Sequence, residues 1–529
     1  MRSRRRTRKR EEKKDQIKKD TKAIGSGDGL DDSLEANLEE LKRRMHASPD
    51  LIVRRFELGS DHRVEIAVAY IENLVADEKV NKFVMDALLR NSEAHRTITL
   101  DTAFDWIKEN ALASGEAKVS TGWDSLLMGL LSGNTVVFVE GWNETVLAHT
   151  AHLVNRSVEE AGTEVAIRGP RDSFIEAIQT NISLIRRRIK SPDLRLETLR
   201  LGKVSRTEVA IMYIQGIANT KMVAEVRKRI KRIEIDGMLE GGMIEEFIED
   251  KTFTLFPTIY YSERPDTISA NLLEGRVAVI VDGTPFVLIA PTTFAQFFHS
   301  ADDYYQRFDI ATFLRFLRVA TYGIATLGPS IYIALTTFHH EMVPIALLLS
   351  LAAQREGVPF PAVVEAMIME IIFEFLREAG VRMPRIVGGA VTVVGAVVLG
   401  QAVVEAGLVS QAMVIVVSLT AVSSFAVPAT HIQPSSRLLR FLFMISAATL
   451  GFFGMMVVMI GVLAHMCSLR SFGVPYLKPF APFILSDHKD TLFRFPIWAH
   501  RKRPLWTSEK PERIEKGQSP TPPSSDGES

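Results

Sequence analysis

Cysteine is almost missing from this chain of 529 residues. Cys467 stands alone, so no disulfide within the chain can staple the fold. Net charge is missing as well: 63 basic residues balance 63 acidic ones. An apolar core after the charged start is lacking, which argues against a secretory signal and leaves the first three hundred residues cytoplasmic. There is no phosphate-cradling glycine loop, no metal-spaced His/Cys set and no nucleophile motif. These absences exclude the common enzyme classes, so no catalytic residue, cofactor or metal is expected. His339 and His340 precede Glu341, but adjacent histidines on a helix cannot both face one metal.

The charge balance averages unlike segments. The first twenty residues, MRSRRRTRKREEKKDQIKKD, are strongly basic, and the last fifteen, EKGQSPTPPSSDGES, are polar and rich in Pro and Ser. Both read as solvated, disordered tails, with no aromatic residues or folded scaffold to make the basic one a nucleic-acid surface. A tail is expected over 1–49 and another over 507–529.

Between the tails lies a repeat. LGSDHRVEIAVAYIENLV (58–75) matches LGKVSRTEVAIMYIQGIA (201–218), and LLSGNTVVFVEGWNETVL (130–147) matches LLEGRVAVIVDGTPFVLI (272–289). The offset is nearly constant, and Glu140–Gly141 aligns with Asp282–Gly283. Each copy offers an early strand, a helical stretch (79–91 and 221–233) and a hairpin with a Gly-centred turn. Two related α/β subdomains follow, 50–165 and 195–300. The joining linker, 166–194, carries Arg168 and Arg171, which suit an anion or a partner's carboxylate, or serve only a rigid polar connection.

From residue 301 the character changes to an all-α polytopic membrane domain over 301–468. Uncharged runs long enough to cross a bilayer fall near 319–338, 386–404, 408–430 and 441–464. Pro329 would kink the first span without breaking it. The segment 342–379 begins with an apolar run too short for a span and suits a re-entrant or interfacial piece. If it enters and returns on one side, the C-terminal segment 469–506 lies on the side of the N-terminal domain; a further crossing would reverse this. In the span near 386–404, Gly388, Thr392, Ala396 and Gly400 recur every four residues, a stripe that lets helices approach closely.

Several stretches together resemble one family. SRTEVAIMYIQGIAN, LLEGRVAVIVDGTPFVL, LTTFHHEMVPIALLLSLAAQREGVPFPAVVEAMIMEIIFEFLREAG and LRSFGVPYLKPFAPF are similar to the A subunit of the GerA spore germination family, over about residues 50–500. The resemblance implies a nutrient germinant receptor in the inner membrane of a bacterial endospore. It implies partners as well: a transporter-like B subunit, a lipoprotein C subunit, membrane lipid, and further copies of the chain in a ring of five around a nutrient-gated cation path. A paralogue associated with dipicolinate release shares the architecture. A secondary transporter fits less well, because the membrane half has few spans and no inverted repeat.

The family expectation gives the glutamates of the apolar helix a role. Glu370, Glu374 and Glu378 share one helical stripe, and Glu365 lies off it. A carboxylate row facing a water-filled path, repeated around a ring, would select cations. The competing reading places this helix at the membrane interface, with its glutamates in headgroup water and paired with Arg377.

Overall fold

The computed structural model of the protein describes residues 29–58, 64–81, 88, 99–113, 117–151, 161–162, 164, 167–382, 400–504 and 506–514. The first subdomain is built on an antiparallel sheet of β1 (Leu51–Leu58), β2 (Val64–Ile71), β3 (Ala117–Ser120), β4 (Thr135–Val139) and β5 (Thr145–Ala148), in the order β1-β2-β4-β5-β3. β2 shows why helices cover both faces. Ile66, Val68 and Tyr70 pack with Phe104 and Ile107 of the helix α2 (Leu100–Ala113). The alternate residues Ala67, Ala69 and Ile71 pack with α1 (Leu34–Arg44) and α3 (Trp123–Leu131). Period-two alternation with two apolar sets requires a cover on each side.

The second subdomain repeats this plan. It comprises α4 (Ile178–Arg188), β6 (Leu194–Leu201), β7 (Thr207–Ile214), α5 (Thr220–Lys231), α6 (Gly241–Ile248), β8 (Tyr260–Ser262), α7 (Pro265–Leu273), β9 (Val277–Val281) and β10 (Val287–Ala290). The strand order is β6-β7-β9-β10-β8, the counterpart of the first sheet strand for strand. The register agrees too: Leu51 faces Ile71 in one copy, and Leu194 faces Ile214 in the other. The aligned acidic-Gly turns have a shared task. Glu140 accepts the backbone N–H of Leu34 at 2.7 Å, and Asp282 accepts that of Ile178 at 3.2 Å. Each carboxylate thus caps the first helix of its own copy, where free N–H groups favour an anion. Gly141 and Gly283 follow with φ of 81° and 91°, donating to the carbonyls of Asp32 and Glu176.

These helices correct two expected boundaries. The tail expected over 1–49 contains α1, whose Leu34, Leu38 and Leu41 are buried at helical spacing. The linker expected over 166–194 contains α4, with Ile178, Ile182 and Ile185 buried in the same pattern. The helical stretch expected at 221–233 is α5; its counterpart at 79–91 lies largely outside the described residues. The subdomains are joined by Arg186, 1% exposed, which is paired with Asp50 and donates to Ser48 Oγ at 2.9 Å.

The second subdomain carries the helical region, and one continuous apolar core runs through both. That region contains α8 (Phe308–Thr337), α9 (Ile345–Arg355), α10 (Ala362–Arg382), α11 (Gln411–Phe425) and α12 (Gln433–Ser468). The segment expected to be re-entrant or interfacial, 342–379, therefore forms α9 and most of α10. The span expected near 386–404 lies outside the described residues up to Gly400. Among the described residues two helices are long and apolar enough to cross a membrane, Phe308–Thr337 and Thr430–Ser468.

The second of these is not one rod. Ser435 Oγ donates to the Leu255 carbonyl, and His465 Nε2 lies 3.0 Å from Thr254 Oγ1. A straight helix would hold those two positions about 45 Å apart. The chain folds back at Gly451, where φ is 59° and ψ −141°, a backbone state open essentially to glycine alone. A Cβ there would stand 2.6 Å from the His339 ring. A single span over 441–464 is thus replaced by two arms, 433–450 and 452–468, whose tip meets the end of α8.

The chain then returns to the second subdomain. Ser471 Oγ donates to the Thr258 carbonyl at 2.6 Å, and Phe294 N–H donates to that of Tyr476 at 2.8 Å. The tail expected from residue 507 is packed at its start, where Thr507 is buried and Asn219 N–H donates to its carbonyl at 3.0 Å.

Candidate functional site

Pro329 lies inside α8. Lacking an N–H, it cannot bond the carbonyl four residues earlier, that of Ala325. Arg440, on the first arm of α12, donates its Nε to that oxygen at 2.7 Å. Its Nη1 meets Glu370 Oε2 on α10. Arg440 is 1% exposed and Glu370 0%. One guanidinium therefore ties three helices, in a place where an unmatched charge or carbonyl would be costly. Among the described residues the tie is not saturated: Arg440 Nη2 and Glu370 Oε1 have no hydrogen-bond partner.

The other glutamates are matched as well. Glu374 takes 3.2 Å contacts from Arg377 Nη1 and Arg437 Nη1. Glu378, mostly exposed, pairs with Arg382 at 2.6 Å. Glu365, fully buried, accepts from Arg355 Nε at 3.2 Å and from Ser410 N–H and Oγ at 3.0 and 2.9 Å. The expected row of free carboxylates thus resolves into three environments. Glu370 faces protein rather than an open path within one chain. Glu374 is a quarter exposed, and Glu378 reaches solvent or lipid. Pairing with Arg377 occurs at Glu374, as the interfacial reading anticipated.

Of the small-residue stripe, Gly388, Thr392 and Ala396 lie outside the described residues, and a Cβ on Gly400 meets no described atom within 4 Å. A close approach is found elsewhere. A Cβ on Gly328 of α8 would stand 2.8 Å from Thr420 Oγ1 of α11. Arg168 and Arg171 are exposed. In their segment the backbone N–H groups of Ile167 and Arg168 reach the Asp302 carboxylate at 3.3 and 3.4 Å. Sequence reasoning missed Arg440 and Arg437. Their spacing of three, set against the spacing of four between Glu370 and Glu374, was the available signal.

The description "Bacillus/Clostridium GerA spore germination protein" fits residues 39–506 of the chain. Spore germination protein KA of Bacillus subtilis (strain 168) is 50% identical over 493 residues, covering 93% of this chain and 90% of that protein. Spore germination protein GerLA of Bacillus cereus is 35% identical over 477 residues, 90% of this chain and 96% of its own length. The crystal structure of the N-terminal domain of the A subunit of the Bacillus megaterium spore germinant receptor GerK3 is 38% identical. It aligns with a TM-score of 0.40 over 50% of this chain and 97% of that one.

Proposed function

Since the chain belongs to the GerA family of spore germination proteins, we propose that it is the membrane subunit of a spore nutrient germinant receptor. In this reading it sits in the inner membrane of the endospore, with its two α/β subdomains on the core side. Copies assemble as a ring of five around a cation path that nutrient opens, alongside the B and C subunits. The long apolar helix α8 and the two apolar arms of α12 support membrane placement. The return of the C-terminal segment to the second subdomain supports an even number of crossings, because both then lie on one side.

The observation that carries the reading is the Arg440 tie. Charged groups are retained inside an apolar bundle where function needs them. Here the tie joins α8, α10 and α12 and leaves one donor and one acceptor for a second arrangement. Glu370 belongs to that tie, while Glu374 and Glu378, toward the exposed end of α10, line the ion path. The test is monovalent-cation release from nutrient-treated spores carrying Glu374→Gln or Glu378→Gln at matched protein level. Slower or less selective release is expected, with the deficit largest at low external salt. Release like the parent's in both variants removes these glutamates from the path.

A further inference from the structure

A cavity opens where the C-terminal segment folds against the second subdomain, and none of the residues of the Arg440 tie lines it. It has two adjoining lobes of about 630 and 330 Å³ that share Glu274, Arg276, Gln296, His299, Tyr304, His500 and Arg513. These volumes fall in the range of small-molecule sites. Buried polar groups normally find partners, and here two do not. Arg276 is 6% exposed and Gln296 7%, yet Arg276 Nε and Gln296 Oε1 lack a hydrogen-bond partner among the described residues.

The remaining bonds fix what these groups can accept. Gln296 Nε2 donates to Asn271 Oδ1 at 3.0 Å, which turns its free oxygen the other way. Arg276 Nη1 reaches the Pro291 carbonyl only at 3.4 Å. Glu274 lies 3.8 Å from both Arg276 Nη2 and Arg513 Nη1, too far for a hydrogen bond to either. Burial raises the Glu274 carboxyl above its ordinary range, so a matching donor would be welcome. Trp498 and Phe495, both partly exposed, line the larger lobe.

We propose that this cavity binds a small carboxylic acid that carries a hydrogen-bond donor beside its carboxylate and an apolar tail. The carboxylate meets Arg276, which offers two N–H groups in fork geometry. The adjacent hydroxyl or ammonium meets Gln296 Oε1 and the Glu274 carboxylate, and the tail lies on Trp498 and Phe495. Hydroxy acids and amino acids share this chemistry. The inference does not depend on the receptor reading, since it rests on the cavity alone.

The test is calorimetric titration of the purified full chain in detergent with four probes: L-phenylalanine, L-3-phenyllactate, 3-phenylpropionate and phenethylamine. Saturable binding of one or both of the first two is expected. The acid without a donor and the amine without a carboxylate should bind about tenfold more weakly or worse, the size of one lost charged hydrogen bond. Phenylalanine against phenyllactate decides between ammonium and hydroxyl. Gln296→Leu and Arg276→Gln should each weaken binding by about tenfold. If Arg276→Gln fails to fold, Gln296→Leu decides. No saturable binding of the first two probes, equal binding of all four, or parental affinity in a folded Gln296→Leu chain overturns the proposal.

Discussion

Pro329→Ala should be worth different amounts depending on what occupies position 440. In a chain carrying Arg440→Met, alanine restores an N–H at 329 that can bond the Ala325 carbonyl. It also removes the ring clash, and together these recover about 3 kcal/mol of helix stability. In the parent that oxygen already accepts Arg440 Nε at 2.7 Å. The restored N–H then adds a second bond to an oxygen that already has one, so the gain is smaller by about the worth of satisfying it. A charge-assisted bond is worth about 1.5–3 kcal/mol in soluble proteins, and bonds between membrane helices average lower. A coupling of about 1–2 kcal/mol is therefore expected. Arg440→Met alone also strands the buried Glu370 carboxylate, a loss of about 3–5 kcal/mol. That loss is common to both methionine corners of the cycle and cancels. The assay is unfolding of the four purified full-length chains in mixed detergent, titrated with denaturing detergent under reversible conditions. Additivity within about 0.5 kcal/mol would refute the link between proline and arginine.

Three further outcomes follow from the fold. Gly451→Ala should cost about 2 kcal/mol or more, from its positive φ and its approach to the His339 ring; His339→Ala should restore part of that loss, and a melting temperature equal to the parent's would refute the folded-back α12. Glu140→Ala and Asp282→Ala should each cost about 1 kcal/mol through loss of the same helix cap, and a near-zero loss in either copy, by denaturant titration, would break their equivalence. Burial, reinforced by Glu249, Glu240 and Glu246, raises the Glu245 carboxyl from 4.5 to about 8. The folded chain then holds a proton the unfolded chain has lost, so stability falls as pH rises from about 4.5 to about 8. Glu245→Gln should flatten that fall, and an unchanged pH profile of the melting temperature would contradict it.

The parts of this structure legible in the sequence are those whose cause is local. β2 and β7 were readable because Val64–Ile71 and Thr207–Ile214 alternate β-branched residues on one face with mostly apolar residues on the other, and the hairpins because glycine at positive φ marks their turns. β1 and β6 escaped, since LIVRRFEL and LRLETLRL mix charge with apolar residues as an amphipathic helix does, and only pairing across the sheet decides between the two. α1 and α4 are identical only at Asn37/Asn181, Arg43/Arg187 and Arg44/Arg188, and exchange Leu for Ile at their buried positions. Their common signature is a burial rhythm plus Asn37 and Asn181, each of which ties back to the residue six before it, Asp31 and Ile175. The candidate site was half legible. Glutamates in an apolar helix announced a polar purpose, but their partners lie up to 70 positions away, as Arg440 does from Glu370. No local rule couples such positions, because the energy that selects them is the cost of leaving either charge unmatched in the assembled bundle. Arg437 and Arg440 lie at the start of α12, where they would ordinarily be read as topology signals. Arginines flanking an apolar run normally report which side of the membrane they face. Here both are held by carboxylates of α10, so their positions record helix packing instead of sidedness. The fold-back at Gly451 has the same origin: its glycine reads locally as one more small residue in an apolar run, and only the contacts of Ser435 and His465 with neighbouring residues of the second subdomain require the helix to turn there.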